Sequence, residues 1–291
     1  MKPAVRNMLR SAAVAAQAAA IVALGIASAA AGTIDTVRKD KALRIAYRED
    51  APPFSFKDPK GEPAGFMVDL CRAVAHGLSA QLDAGELKIV YVPVTATDRF
   101  DAIEKGRADL LCEATSDTLS RREAVGFSIA TFVDGASVLT RSDGPSDFSA
   151  LAGRKIGVLA GTTTETTLRN SLTAAGINAD VMPAKTHADG LAMLDKGSIS
   201  AYFADHAILM YLAAHSSDPA NLRLADNYLT LEPYGLALPR GDEDFRLAVD
   251  RALSRIYRSG EIEQIFSRNF GMDMSGAGLV SALYAVTALP E

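Results

Sequence analysis

The residues able to grip a charged small molecule are gathered in a few short segments, each following an apolar run. The first segment holds Arg48, Glu49 and Asp50 with Pro52-Pro53-Phe54-Ser55-Phe56; the second Thr95, Thr97 and Arg99; the third Glu113, Thr115, Ser116 and Arg121. Gly161-Thr162-Thr163, His187 and Asp205 follow farther along. Guanidinium groups present paired donors that match carboxylate geometry, so this set suits recognition of carboxylates. Gly161-Thr162-Thr163 stands where an apolar run gives way to a helical pattern. Its hydroxyls and free N-terminal amides form a seat for a carboxylate, although an ordinary Thr cap accounts for the same residues. No catalytic triad, Walker loop or dinucleotide fingerprint accompanies them.

The elements that would position these groups read as parallel α/β units. Residues 43–47 form a strand pattern, and Phe66, Leu70, Val74 and Leu78 recur at helical spacing as a buried stripe. A strand over 87–92, a helix over 98–105 closed by Gly106, and a strand over 108–112 complete a β-α-β-α-β unit. The pattern restarts with strands over 155–159, 181–183 and 199–203 and helices from about Thr164 to Ala175 and over 187–196. A last strand over 234–239 precedes helices over 242–258 and 261–268, which have no sheet of their own and are expected to return to the first unit. Ligands of open α/β sheets sit at the carboxyl ends of strands. Two such units facing one another would therefore enclose the segments named above.

Composition narrows the class. The 291 residues are 48% hydrophobic and 22% charged, which suits a globular protein with real cores. Lys2, Arg6 and Arg10, followed by an Ala-rich run to Ala31, predict a signal peptide over residues 1–31, removed at Ala29 or Ala31. A retained membrane anchor is the rival reading. Cleavage removes three of the 30 basic residues and none of the 35 acidic ones, taking the net charge from −5 to −8. That balance argues against a nucleic-acid partner. The apolar tail over 276–289 is too short to span a bilayer. The two cysteines, Cys71 and Cys112, admit one disulfide in an oxidising compartment or two buried thiols. They are too few for a zinc or iron-sulfur site without other ligands, and no cofactor or metal is expected.

The order and spacing of several motifs resemble the periplasmic solute-binding proteins of polar amino acid ABC importers, closest to the glutamate/aspartate-binding branch. The motifs are Pro53-Phe54-Ser55-Phe56, Gly65-Phe66-Met67-Val68-Asp69-Leu70, Pro93-Val94-Thr95-Ala96-Thr97-Asp98-Arg99, Asp109-Leu110-Leu111-Cys112, Ser120-Arg121-Arg122 with Phe127-Ser128, and Gly161-Thr162-Thr163. Lys185-Thr186-His187, Asp205, Tyr234-Gly235-Leu236 and Phe270-Gly271 extend the likeness, which covers residues 34–271. It implies a two-lobed, type II periplasmic-binding-protein fold with a ligand cleft between lobes. Lobe 1 would take residues 32–132 and 235–291, lobe 2 residues 133–234, with crossings near 131–135 and 230–234.

By the same resemblance Arg121 clamps a ligand α-carboxylate together with Ser116, Thr162 and Thr163, and Asp205 receives the α-ammonium. Arg122 is set aside on spacing. Arg48, Arg99 and His187 fall at the positions that touch the side-chain carboxylate, beside Ala114. Once the head group is matched, Arg48 and Arg99 are left over, and unmatched buried cations are costly, so a second carboxylate on the ligand is expected to balance them. Pairing of Arg99 with Asp98 or Asp101, and of Arg48 with Glu49 or Asp50, is the alternative. The chain departs from the branch at Ala96 and Ala114, where serines are usual, and at Glu113, which replaces a glycine. The function implied is a periplasmic amino-acid receptor that closes on its ligand and delivers it to a membrane permease, as a monomer and without catalysis. The rival is a cyclohexadienyl dehydratase-like enzyme on the same fold, with Glu113 and His187 as acid and base. A sensor module and a purely structural role rank below both.

Overall fold

The computed structural model describes residues 32–291. The predicted signal peptide lies outside the described residues. After helix α1 (Thr33–Asp40), strands β1 (Ala42–Arg48), β5 (Lys88–Val94) and β6 (Leu110–Leu111) pair in parallel, and β13 (Glu232–Pro239) and β7 (Val125–Asp134) add antiparallel, in the order β5-β1-β6-β13-β7. A small antiparallel sheet, β2 (Asp50–Ala51), β3 (Ser55–Lys57) and β4 (Pro63–Ala64), folds over the end of β1. The second five-stranded sheet has the order β10-β9-β11-β8-β12, from β10 (Asp180–Ala184), β9 (Lys155–Leu159), β11 (Ala201–Asp205), β8 (Ala136–Arg141) and β12 (Leu222–Leu224). Each sheet thus has a parallel half joined to an antiparallel half.

The two sheets are tied by adjacent crossings. β7 ends in the first sheet at Asp134 and β8 opens the second at Ala136, while β13 enters from the second unit with Glu232 opposite Asp134 and Tyr234 opposite Phe132. Between them Gly135 leaves no room for a side chain, because a Cβ there would lie 1.9 Å from the Thr230 carbonyl oxygen. The sequence reading missed β7 and β8. Their mixture of Ser, Thr, Gly and apolar residues alternates poorly, and their strand form is imposed by pairing with β13 and β11.

Helix α2 (Phe66–Gln81) buries Phe66, Leu70, Cys71, Val74 and Leu78. It packs against α7 (Glu243–Ser259) closely enough that a Cβ on Gly77 would meet Ala252 Cβ at 3.1 Å. The terminal helices α7 and α8 (Glu261–Phe270) therefore cover the first sheet, and Phe54, Phe66, Phe132, Tyr234 and Phe270 form one aromatic cluster with centroid separations of 5.0–6.5 Å. Phe54 is fully buried in this core. The apolar tail, read only as too short for a membrane, is helix α9 (Gly278–Thr287), whose buried Tyr284 donates a hydrogen bond to the Thr131 carbonyl at 2.9 Å. Cys71 on α2 and Cys112 after β6 are joined by a disulfide. Among the described residues no helix is long and apolar enough to cross a membrane.

Candidate functional site

Helices α3 (Arg99–Glu104), α4 (Thr163–Ala174), α5 (His187–Asp195) and α6 (His206–Ala214) all begin at the strand ends that face between the two sheets. The space they enclose is lined from the first unit by Arg48, Arg99, Ala114, Ser116 and Arg121. From the second unit it is lined by Thr162, Thr163, Thr164, His187 and Asp205, with Leu159, Phe203, Ala204 and Ile208 as apolar wall. All nine residues singled out as ligand contacts converge here, although they span the chain from β1 to β11.

Each is placed by local structure. Thr162 caps α4: its Oγ1 accepts from Glu165 N at 3.1 Å and donates to the Leu159 carbonyl at 2.8 Å, while the Glu165 carboxylate accepts from Gly161 N at 3.0 Å. The ordinary cap is therefore real, and Thr162 lines the cavity as well. Gly161 has φ +76°, and a Cβ there would stand 3.3 Å from the Ala96 carbonyl oxygen of the other unit. Thr163 Oγ1 lies 3.3 Å from Ser116 Oγ across the cleft. His187 is not a cap: Thr186 caps α5, and His187 Nδ1 sits 3.0 Å from the Tyr202 hydroxyl. Burial, with Arg48 nearby, holds the imidazole well below its usual pKa and thus neutral.

Arg121 donates from Nη1 to the Ser116 carbonyl at 2.8 Å and lies over the Phe100 ring at 5.1 Å. An isolated bridge between Ser116 and Tyr234 fixes that carbonyl in the crossing region. Among the described residues no carboxylate comes within 4.0 Å of Arg121, and no cation within 4.0 Å of Asp205. Asp205 instead accepts from the Tyr234 hydroxyl at 2.6 Å and from Thr164 Oγ1 at 3.1 Å. Burial raises its pKa and Glu232 adds to that, while the Tyr234 hydroxyl works against both. Arg122, by contrast, is a surface residue paired with Asp117 at 2.5 Å.

The expectation that Arg48 and Arg99 lack counter-charges is corrected. Arg48 donates from Nε and Nη2 to Asp50 Oδ1 at 2.9 and 2.7 Å. Glu113, fully buried, places Oε1 3.2 Å from Arg99 Nε and Oε2 3.9 Å from Arg48 Nη1. The alternative partners of Arg99 are engaged elsewhere: Asp98 accepts from Thr95 N at 2.7 Å, and Asp101 pairs with Lys105 at 2.5 Å. Arg99 itself reaches across to the Gly161 carbonyl at 3.3 Å, and burial lowers its pKa to about 10, so it remains a cation at neutral pH. Sequence reasoning marked Glu113 as an added charge but not as the partner of both arginines, because its partners lie 65 and 14 positions away along the chain. It missed Tyr234 and Tyr202 as supports of Asp205 and His187, which carry no signal beyond being aromatic. Among the described residues no group of His, Cys, Asp and Glu is arranged to hold a metal ion.

The comparisons agree with this architecture. The glutamate/aspartate import solute-binding protein of Escherichia coli K12 is 28% identical over 245 residues, covering 84% of this chain and 81% of that protein. A general L-amino acid-binding periplasmic protein of Rhizobium johnstonii is 30% identical over 244 residues, covering 82% and 69%. The crystal structure of an ancestral amino acid-binding protein, a precursor of cyclohexadienyl dehydratase, superposes with a TM-score of 0.72 at 26% identity, covering 82% of this chain and all of that one. With the family pattern matched over residues 43–272, the chain belongs to the bacterial extracellular solute-binding proteins of family 3, a solute receptor rather than an enzyme.

Proposed function

We propose that the protein is the periplasmic receptor of an amino-acid ABC importer, taking an amino acid with a polar, acidic or amide, side chain. The observation that carries this reading is the pair Arg121 and Asp205. One is a guanidinium without a carboxylate and the other a carboxylate without a cation, and they come from opposite lobes of one cavity. A zwitterionic head group supplies the two missing partners at once. The α-carboxylate would lie on Arg121, Ser116, Thr162 and Thr163, and the ammonium on Asp205 beside Thr164. Both relatives above are named for amino-acid binding, one of them for glutamate and aspartate.

A ligand held between groups of both lobes stabilises their approach differentially, which is how hinge closure follows from binding. The division into lobe 1 (32–132 with 235–291) and lobe 2 (133–234) places the hinge at Gly135 and Tyr234, where the chain crosses twice. The closed form is what the membrane permease would recognise. Thermal denaturation of the exported protein with each of the twenty amino acids tests the reading. Binding at a thousand times Kd adds about 4 kcal/mol of stability, so one or a few polar amino acids should raise Tm clearly. A flat response to all twenty overturns the proposal.

A further inference from the structure

The cavity is electrically self-contained at one end. Arg48 and Arg99 face Asp50 and Glu113, and the remaining pair, Arg121 and Asp205, is the one proposed to hold a zwitterionic head. Three cations thus stand against three anions before any ligand side chain is considered. Glu113 is wholly buried, accepts a hydrogen bond from Thr115 Oγ1 and extends between the two guanidinium groups. Next to it in the chain stands Ala114, which lines the cavity and offers no hydroxyl to a second ligand carboxylate.

Three buried atoms at this end lack any hydrogen-bond partner: Arg99 Nε and Nη1, both donors, and Glu113 Oε2, an acceptor. Leaving such groups unmet is costly, and a ligand that meets them gains accordingly. A carboxylate would satisfy the guanidinium but bring like charge against Glu113. A carboxamide carries both an acceptor oxygen and donor hydrogens, and adds no charge. We infer that Glu113 is a specificity-determining residue: its fixed carboxylate discharges Arg48 and Arg99, and thereby favours a side-chain carboxamide over a side-chain carboxylate. The inference rests on the amino-acid receptor reading and deepens it.

Calorimetric titration of the wild-type chain, Glu113→Gln and Glu113→Gly with L-glutamine and L-glutamate tests it. Wild type should bind glutamine more tightly than glutamate by about tenfold or more, since like charge brought together in a dry site is strongly unfavourable. Removing the carboxylate should move the ratio toward glutamate by at least about tenfold in both variants. The wild-type ratio decides by itself should neither variant fold. Glutamate preferred by wild type, or a ratio unmoved by either substitution, overturns the role of Glu113 while leaving the receptor reading intact. Binding of none of the twenty amino acids removes that reading, and this inference with it.

Discussion

Replacing Arg121 with Ala separates a ligand clamp from a structural cation, because the residue has so little else to do. Among the described residues its guanidinium makes one hydrogen bond, to the Ser116 carbonyl at 2.8 Å, and one cation–π contact with Phe100 at 5.1 Å. Losing these should lower the stability of the ligand-free protein by about 1–2 kcal/mol. Binding should suffer more, since truncating one partner of a buried charge pair costs about 2–5 kcal/mol, which converts to a loss of roughly thirtyfold to several thousandfold in affinity. Calorimetric titration with the best ligand of the thermal panel reads this directly. The adjacent Arg122→Ala is the internal control: its ion pair with Asp117 is exposed, worth about 0–1 kcal/mol, and should leave affinity within about twofold. An Arg121→Ala protein that melts near wild type and binds within about threefold would refute the assignment of the α-carboxylate to this residue.

Three further outcomes follow from particular contacts. Reducing the bond between Cys71 and Cys112, 41 positions apart, should cost about 4 kcal/mol on the chain-entropy account, read as a lower urea midpoint in dithiothreitol; an unchanged midpoint refutes it. Burial and the nearby Asp205 raise the Asp134 carboxyl to about 8. The folded state then holds a proton that the unfolded state releases near pH 4, so this contribution is full below about pH 4 and is lost as the pH rises toward 8. Asp134→Asn should therefore gain stability relative to wild type across that interval, and a difference that does not vary with pH contradicts it. Gly190→Ala would place a Cβ 2.1 Å from the Tyr202 ring. It should cost about 1–3 kcal/mol and weaken ligand binding by disturbing His187 through Tyr202, whereas unaltered melting and affinity would show the ring free to move away.

Both five-stranded sheets show which elements local pattern can specify. The α2 stripe and the parallel strands β1 and β9 were readable because burial of one helical face, or of a continuous apolar run, leaves a trace in the sequence. The return of α7 and α8 to the first lobe was also readable, since an amphipathic helix without a sheet must cover one already formed. The small sheet β2–β4, α6 and α9 left no such trace, being two- or three-residue strands or helices apolar nearly all round.

For the site, the sequence by itself determined the inventory: which groups follow strands, and that guanidinium, hydroxyl and carboxylate types suited to an amino-acid head are among them. It could not determine pairing. By position Asp98 and Asp101 are equally good partners for Arg99, yet Thr95 and Lys105 occupy those carboxylates, and Glu113 reaches it only because β1 and β6 lie side by side. Charge balance in a buried cleft depends on distances of 3–4 Å between residues far apart in the chain. Only the tertiary structure sets those distances, and so it alone decided that Arg48 and Arg99 are already matched while Arg121 and Asp205 still await partners.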